Sequence, residues 1–359
     1  MPETASNAIE FVGVTKRYAS SVAVEELDLA IPAGLITAFV GPSGCGKTTS
    51  LRMINRMVEP TEGSILIQGE DNRSRPAYEL RRSMGYVMQQ AGLMPHRSVA
   101  DNIATVPRLQ GASRADGRSR ALELMDTVGL DRKLAKRYPA QLSGGQAQRV
   151  GVARALAADS PILLMDEPFS AVDPVVRTDL QQELVRLHEQ LERTIVFVTH
   201  DIDEAVALGH RIAVFAEGGR IAQFGTPEEI LRAPADDFVA SFVGRDRGLR
   251  RLTFASGREL PLHPLADLAD QAGRPWAPWE LLVNDAGRPA GWRFRDREVT
   301  GGTLFAPGGS LREALDAVPL ALRVGVAVDA EGRASGLLAS DDVLAAAGRE
   351  RRSRYGVAE

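Results

Sequence analysis

The segment Gly41-Pro42-Ser43-Gly44-Cys45-Gly46-Lys47-Thr48 decides the fold of this 359-residue chain. It follows the apolar run Leu35-Ile36-Thr37-Ala38-Phe39-Val40, which predicts a buried strand, and it precedes a stretch that predicts a helix. A glycine-rich turn in that position lets the backbone wrap closely around phosphates, and the N–H groups at the helix start point at their negative charge. This P-loop pattern predicts a nucleotide site in which Lys47 reaches the terminal phosphates and the Thr48 hydroxyl binds Mg²⁺.

A second apolar run, Ile162-Leu163-Leu164-Met165, ends in the two carboxylates Asp166 and Glu167. Asp166 is placed to hold the magnesium shell, and Glu167 is placed to polarise a water for in-line attack on the γ-phosphate. Two acids at a strand end, taken alone, are explained equally well as solvated turn residues. Their presence in the same chain as the P-loop favours the catalytic interpretation.

The third motif, Leu142-Ser143-Gly144-Gly145-Gln146, precedes a segment with the apolar spacing of a helix. Ser143 is a favourable N-cap, and the two glycines clear side chains from the helix start, so this segment predicts another anion site. The chain already has one P-loop for its own nucleotide. A second phosphate-binding helix start is therefore explained best if it serves a nucleotide held by another copy.

The composition is that of an ordinary soluble globular protein. Lys and Arg number 43 against 47 Asp and Glu, which gives a formal net charge of -4 and disfavours a nucleic-acid binder that relies on positive charge. The apolar runs fall far short of the roughly 18 to 20 residues that span a bilayer, and the first residues predict no secretory signal, so we expect a cytoplasmic location. The only cysteine, Cys45, agrees with a reducing compartment and is interpreted as a small wall residue of the loop rather than a nucleophile.

Residues up to about 235 alternate short apolar runs with longer amphipathic segments, a pattern typical of a mainly parallel sheet covered by helices. Between residues 95 and 160 the spacing becomes helical, which predicts an inserted helical subdomain. A change in composition predicts a linker at 241–250 and a second domain at 251–348, where two similar phrases each indicate a strand, a turn with Asp and Gly, and a second strand. The predicted core strands are 35–40, 83–88, 161–165 and 194–199, and residues 212–215 and 220–224 predict a hairpin.

Together these motifs resemble the nucleotide-binding subunit of ATP-binding cassette (ABC) transporters, over residues 8–240. The match includes Gln89 in Tyr86-Val87-Met88-Gln89, the phrase Ser170-Ala171-Val172-Asp173, and His200 at the end of a predicted strand. The resemblance implies an α/β P-loop NTPase fold with a RecA-like core, a β-subdomain and a helical subdomain at about 95–160. It also implies that two copies sandwich ATP between the P-loop of one chain and the 142–146 segment of the other.

The resemblance further implies a role for each matching residue. Glu167 would be the principal base, His200 would bond to the γ-phosphate, Gln89 would touch magnesium and water and sense the membrane subunit, and Asp173 would couple the two sites. Tyr18 would stack on adenine, although alone it is explained as a surface aromatic. The implied catalytic residues are Glu167, His200, Lys47 and Gln89, and the implied Mg²⁺ ligands are Thr48, Gln89 and Asp166. The implied nucleotide contacts are Tyr18, Gly41, Pro42, Ser43, Gly44, Cys45, Gly46, Lys47, Thr48, Thr49, Gln89, Leu142, Ser143, Gly144, Gly145, Gln146, Asp166, Asp173 and His200.

Three further phrases, at 51–60, 89–96 and 242–247, look most like importers of glycine betaine, proline, choline and related quaternary amines. Such an ATPase docks on integral membrane permease subunits at the cytoplasmic face of the membrane, and an extracytoplasmic solute-binding protein delivers the cargo. An importer ATPase for an amino acid, a polyamine or a sugar remains an alternative. A soluble ABC-type switch is another alternative, which long coiled-coil insertions or tandem cassettes would favour, and the sequence shows neither. A P-loop kinase is a further alternative, but a kinase has no use for the 142–146 segment.

The two similar phrases in the second domain resemble degenerate CBS repeats, which would give a small α+β domain. A nucleotide-binding CBS repeat usually places Thr three residues and Asp six residues after a glycine. After Gly336 this chain keeps only the acid, Asp342, and after Gly291 it keeps neither residue. We therefore expect a structural or dimer-stabilising role, with ionic-strength sensing implied only by the family. The basic tail at 349–359 is interpreted as a solvated charge run, with anionic lipid as the alternative partner.

Overall fold

The computed structural model describes residues 6–19, 21–170, 172–191, 193–244, 247–265, 279–294, 297–300, 304–318 and 323–355. The chain divides into two compact units, residues 1–243 and 244–359. None of the described helices combines the length and the apolar composition that crossing a bilayer requires.

The first unit is built from strands and helices that alternate along the chain. Its strands are β1 (Asn7–Tyr18), β2 (Ser21–Pro32), β3 (Ile36–Val40), β4 (Glu62–Ile67), β5 (Glu70–Asp71), β6 (Gly85–Val87), β7 (Ile162–Asp166), β8 (Thr194–Val198), β9 (Arg211–Phe215) and β10 (Ile221–Gly225). Its α-helices are α1 (Lys47–Ile54), α2 (Ala77–Arg82), α3 (Val99–Ile103), α4 (Thr105–Leu109), α5 (Arg114–Thr127), α6 (Gly144–Leu156), α7 (Pro174–Leu191), α8 (Ile202–Leu208), α9 (Pro227–Arg232) and α10 (Asp237–Phe242).

A six-stranded sheet in the order β10-β9-β3-β8-β7-β6 forms the centre of this unit. All neighbouring pairs are parallel except the hairpin of β9 and β10. Strands β3, β7 and β8 are buried along their whole length, as expected for apolar runs covered on both faces. The predicted core strands and hairpin are confirmed, but β6 is shorter than the predicted 83–88, because the Ser83 N–H donates to Glu79 and Leu80 carbonyls and so still belongs to the end of α2.

A four-stranded antiparallel sheet, β2-β1-β4-β5, shares one hydrophobic core with the central sheet. Ile9, Ile31 and Ile65 from this sheet are fully buried in the same cluster as Phe39 and Phe215, whose rings lie 4.9 Å apart. This sheet is the β-subdomain that the family resemblance implies. Its shared core fixes the β1–β2 hairpin beside the turn that follows β3.

Residues 95–160 contain helices α3 to α6 and short 3₁₀ turns, and no strand. Serine N-caps begin three of these helices, because the hydroxyls of Ser98, Ser113 and Ser143 accept N–H groups of the first turn. Arg149 of α6 donates to the carbonyls of Val128 and Gly129, at 3.1 and 3.2 Å, and so satisfies the C-terminal end of α5. The helical subdomain is therefore held together by side-chain caps as well as by packing.

Within its described residues, the second unit contains two three-stranded sheets, β11-β12-β13 and β14-β15-β16. Its elements are α11 (Arg247–Arg251), β11 (Trp279–Val283), β12 (Pro289–Phe294), β13 (Arg297–Thr300), β14 (Leu304–Phe305), α12 (Leu311–Asp316), β15 (Val324–Val328), β16 (Ala334–Ala339) and α13 (Ser340–Tyr355). Of the predicted basic tail, residues 349–355 belong to α13, and residues 356–359 lie outside the described part of the chain.

The two similar phrases of this unit form equivalent β-hairpins, β11–β12 and β15–β16. In each turn the side-chain oxygen of the first residue, Asn284 or Asp329, accepts the N–H groups of the residues two and four further on. The turns also touch each other, since Arg288 Nε donates to the Glu331 carbonyl at 3.1 Å. Asp342, the acid of the CBS pattern, instead lies 2.8 Å from the ring Nε2 of His263.

One histidine, His210, makes the free energy of unfolding of the first unit sensitive to acid, because the fold lowers its pKa. His210 Nδ1 accepts the Ile36 N–H at 3.2 Å, and its ring lies 4.9 Å from that of His188, whose Nε2 is 2.9 Å from the Gly34 carbonyl. Burial lowers the pKa of His210, and the nearby positive charges of His188 and Arg211 lower it further. The neutral ring is the form that can accept this hydrogen bond.

We expect the free energy of unfolding to fall when the pH drops below 6.5, the ordinary pKa of this group. The unfolded chain then binds a proton that the folded chain resists, so the stabilisation is complete above pH 6.5 and is lost as the pH falls through the lowered pKa. In urea unfolding at several pH values, His210→Asn should show a shallower pH dependence, because the amide oxygen can accept the same N–H without titrating. His96→Asn, which removes a histidine elsewhere in the first unit, is the control for the substitution itself, and an unchanged slope for His210→Asn would contradict the assignment.

Candidate active site

Four neighbouring parallel strands end at the same edge of the central sheet, in the order β3, β8, β7 and β6. The segments that follow them carry the P-loop, His200, the Asp166–Glu167 pair and Gln89 respectively. Ligands of open α/β sheets bind at this carboxyl edge, because the loops there converge on one crevice. The predicted catalytic residues, far apart in sequence, are thus placed side by side by the strand order.

The P-loop turn, residues 41–46, requires glycine at two positions. Gly46 has φ +99°, and a Cβ there would lie 2.4 Å from the carbonyl oxygen of Ala23 on β2. Gly41 has φ +149°, and a Cβ there would lie 2.3 Å from the Phe215 carbonyl oxygen. The backbone therefore closes tightly enough to present its N–H groups to a phosphate only because both side chains are absent.

Lys47 lies inside this turn and is 5% exposed. Its Nζ donates to the carbonyls of Gly41 and Pro42 at 2.8 and 2.7 Å, so the ammonium holds the loop in a curved form. Cys45 Sγ lies 3.7 Å from the same Nζ, and the Cys45 side chain is buried in the hydrophobic core. The side chains of Ser43 and Pro42 are exposed at the outer surface of the turn.

Asp166 is almost fully buried, and both of its carboxylate oxygens are engaged. Oδ1 accepts the Thr48 hydroxyl at 2.8 Å, and Oδ2 accepts Arg52 Nη2 at 3.0 Å, with the Tyr86 hydroxyl 3.4 Å away. The hydrogen bond to Tyr86 and the charge of Asp166 hold the pKa of Arg52 above its ordinary value. Burial and the neighbouring carboxylate also raise the pKa of Tyr86. This network fixes the position of the carboxylate next to the start of α1.

The residues in this region fit a magnesium ion. The Thr48 hydroxyl, the Asp166 carboxylate and the Gln89 amide supply oxygen, the donor that Mg²⁺ prefers, and phosphate oxygens and water usually complete its shell. Among the described residues there is no cluster of three or more His, Cys, Asp or Glu side chains, the donor set that a zinc site would require.

Glu167, Gln89 and His200 meet at one carboxylate oxygen. Gln89 Nε2 donates to Glu167 Oε2 at 3.0 Å, and His200 Nδ1 lies 3.6 Å from the same atom. The Glu167 N–H donates to the Val198 carbonyl, and its φ of +45° lies in the left-handed region that side-chain-bearing residues rarely adopt. His200 and Gln89 are exposed, so the group faces the crevice where a water can reach it.

The signature segment, residues 142–146, starts α6 through a capping box. Ser143 Oγ accepts the Gln146 N–H, and the Gln146 side chain accepts the Ser143 N–H in return. Ser143 and Gly144 are exposed, and within the described chain no hydrogen bond or ion pair joins this segment to the P-loop. Asp173 is also exposed, just before α7, and its carbonyl accepts the Arg177 N–H. The N-terminus of α6 is thus left exposed to solvent.

Tyr18 ends β1 and is 48% exposed. One face of its ring is covered by the Lys16 ammonium, 5.0 Å from the centroid, and its strand pairs with β2, whose Ala23 carbonyl touches the P-loop turn. About half of the ring is therefore exposed, on a strand whose partner β2 reaches the P-loop turn.

Two residues of the Asp166 network were not among those singled out from the sequence. Arg52 stands one helical turn after Thr48, so an i, i+4 spacing on one helix face could have indicated it. Tyr86 reaches Asp166 only because β6 pairs with β7, and the sequence pattern does not predict which strands are neighbours.

Comparison with known proteins agrees with this geometry. A protein-family model described as ABC transporter matches residues 24–170. The glycine betaine uptake system ATP-binding protein YehX of Escherichia coli is 54% identical over 249 residues, which cover 69% of this chain and 80% of that protein. The osmoprotectant import ATP-binding protein OsmV of Salmonella typhimurium is 51% identical over 248 residues, and the match spans 65% of its length.

A solved structure of an ATP-binding cassette, described as a dimeric post-hydrolysis state bound to ADP and Pi, shares the fold. It aligns with a TM-score of 0.57 at 34% identity, over 61% of this chain and 98% of that one. Together with the converging P-loop, acidic pair, glutamine and histidine, these matches place the chain in the family of ABC transporter ATP-binding proteins.

Proposed function

We propose that this protein is the ATP-hydrolysing subunit of an ABC importer for quaternary-amine osmoprotectants. The observation that carries the proposal is the meeting of Lys47, Thr48–Asp166 and the Gln89–Glu167–His200 group at one sheet edge, while the signature helix start faces outward. The P-loop lysine, the Thr48–Asp166 pair and the Gln89–Glu167–His200 group would surround a nucleotide on all sides but one. The exposed start of α6 would cover the remaining side of a nucleotide that is bound by another copy.

The P-loop binds the triphosphate of ATP through its N–H groups and through Lys47. In the structure the carbonyls of Gly41 and Pro42 hold the ammonium inside the loop that would surround the phosphates. Its positive charge neutralises charge that builds on the transferring phosphoryl group. Tyr18 supplies the exposed aromatic face on which adenine stacks.

Magnesium, when bound with ATP, neutralises phosphate charge, and Thr48, Asp166 and Gln89 are the residues that would hold it. Arg52 and Tyr86 fix the Asp166 carboxylate, which keeps that oxygen ligand oriented. Glu167 takes the proton of the attacking water, Gln89 orients that water from the adjacent loop, and His200 bonds to the γ-phosphate. These roles are supported by two contact groups at this sheet edge, Thr48 with Asp166 and Glu167 with both Gln89 and His200, in which the contacts are 2.8 to 3.6 Å long.

A second copy of the chain completes each site with Ser143 and the α6 N–H groups, and Asp173 lies at the same boundary. Only the closed pair surrounds the phosphoryl group with enough hydrogen-bond donors to stabilise the transition state. The similarity to a dimeric cassette that this chain covers almost completely supports such a pair. ATP binding closes the pair, and hydrolysis reopens it.

The substrate class rests on the relatives, whose names describe osmoprotectant import and glycine betaine uptake. We place the protein at the cytoplasmic face of the membrane, docked on integral permease subunits, with a solute-binding protein acting outside. The second unit, with its paired hairpins, would stabilise the dimer. A nucleotide-binding CBS repeat would use the Asp342 carboxylate to bind its ligand, but here this carboxylate is hydrogen-bonded to His263.

The proposal is tested with the protein purified in complex with its permease. We expect Mg²⁺-dependent ATP hydrolysis and ATP-driven uptake of labelled glycine betaine or choline into vesicles, with no uptake of a sugar. Lys47→Ala should lower both activities by about 10²-fold or more, the usual effect of removing a preorganised charge from the transferring group. Uptake of a sugar or a polyamine instead would overturn the substrate class, and absence of ATP hydrolysis would overturn the whole proposal.

A further inference from the structure

The Gln89 loop, defined here as residues 88–98, joins β6 to α3 and is held from both sides. On the α3 side, fully buried Asn102 donates to the carbonyls of Met94, Arg97 and Ser98 and accepts the Met94 N–H. On the α6 side, Arg154 donates to the carbonyls of Ala91 and Gly92, each at 2.8 Å. Those two carbonyls lie two and three residues after Gln89.

Arg154 has no partner of opposite charge among the described residues, and the two carbonyls are its only described hydrogen-bond partners. Burial lowers the pKa of its guanidinium. A partly buried cation of this kind is costly unless its N–H groups are satisfied, so the side chain is committed to these carbonyls. The contact is therefore a fixed attachment of the loop rather than one of several alternatives.

The attachment point on α6 is also a close packing point. A Cβ at Gly151 would lie 3.5 Å from the Ala91 carbonyl oxygen, an ordinary van der Waals distance, so the helix passes beside the loop backbone one turn before Arg154. The same helix begins at the N-cap Ser143. Ser143 and Arg154 are therefore joined by about three turns of continuous helix, with a rise of roughly 1.5 Å per residue.

We propose that Arg154 is a positioning residue that fixes the Gln89 loop to the signature helix, and so sets the place of the Gln89 amide against Glu167. It touches neither nucleotide nor water and acts through the loop. Because the same guanidinium belongs to the helix that carries Ser143, the loop and the signature segment of one chain are mechanically joined. This inference rests on the proposed function, since it assigns a role within that reaction.

The test is a double-mutant cycle on kcat for ATP hydrolysis, measured on the complete complex at saturating Mg-ATP. With Gln89 present, Arg154→Met should lower kcat by about tenfold, which corresponds to roughly 1.4 kcal/mol of lost transition-state stabilisation. In the Gln89→Ala background the same change should have little further effect, because the amide that Arg154 positions is gone. Arg154→Lys, which keeps the charge but offers a shorter donor group, should give an intermediate loss.

Arg149→Met is the matched control. Arg149 lies on the same helix and also donates to two carbonyls, but these belong to the end of α5 and not to the Gln89 loop. Its effect should be the same factor with and without Gln89. If Arg154→Met behaves like Arg149→Met, the inference is wrong, whatever the size of the loss.

Thermal unfolding of each variant shows whether the fold survives. Should Arg154→Met fail to fold, the cycle is run with Arg154→Lys, for which an equal loss in both Gln89 backgrounds again overturns the inference. A wild-type complex that hydrolyses no ATP would instead refute the proposed function, and that result is distinct from an additive cycle.

Discussion

Glu167→Gln is expected to lower ATP turnover by on the order of 10² to 10⁴, the usual contribution of a general base. The amide keeps the size of the side chain, and its oxygen can still accept the hydrogen bond from Gln89 Nε2 that Glu167 Oε2 accepts now. It cannot take a proton from water. The site should therefore bind ATP normally, close with its partner copy and stop there.

The measurement is turnover of the membrane-bound complex, together with nucleotide binding and the oligomeric state of the variant in ATP. Glu204→Gln is the matched control, because burial raises the pKa of Glu204 and its carboxylate bonds to Thr199 rather than facing the crevice. Turnover close to wild type is expected for that variant. Normal turnover in Glu167→Gln would remove Glu167 from the role of base.

Mixing two inactive variants is expected to restore hydrolysis. Lys47→Ala disables the P-loop of its own chain, and Ser143→Arg fills the anion site that its chain offers to a partner; each alone should lose about 10²-fold or more. In a mixed dimer, the intact P-loop of the Ser143 variant faces the intact signature segment of the Lys47 variant. One complete site then forms from two defective chains.

The two variants would carry different affinity tags, so that mixed complexes are isolated before the ATPase assay. Each variant mixed with a differently tagged copy of itself provides the control and should stay inactive. Two results would contradict the shared site: mixed complexes without activity, or single chains that hydrolyse ATP at the full rate at high dilution.

The central part of the fold was predictable because its signals are local. An uninterrupted apolar run followed by a glycine-rich turn and a helix identifies β3 and α1, and similar runs identify β7 and β8. The predicted catalytic residues follow the ends of these parallel strands, so identifying the strands also predicts that these residues lie close together. The N-cap of α6 was readable for the same reason, since Ser143 and Gln146 interact within one helical turn.

The supporting residues were not predictable in this way. Arg52 and Asp166 are separated by 114 positions along the chain, and Arg154 and Ala91 by 63. Such contacts can be predicted only when the strand order and the helix packing are known. The short β6 shows a second limit, because the hydrogen bonds of Ser83 to the preceding helix compete with the strand that its neighbours predict. Pairing of the two hairpins in the second unit likewise depends on contacts between distant turns.

The left-handed backbone at position 167 has a practical consequence for protein engineering. Holding a large side chain in that region costs roughly 1 to 3 kcal/mol, whereas glycine or asparagine adopts it more readily. Heat resistance and catalysis therefore favour different amino acids here. A screen that ranks substitutions by melting temperature alone would select changes at this position early and yield stable proteins that do not hydrolyse ATP. Position 167 is therefore best kept constant in any such library.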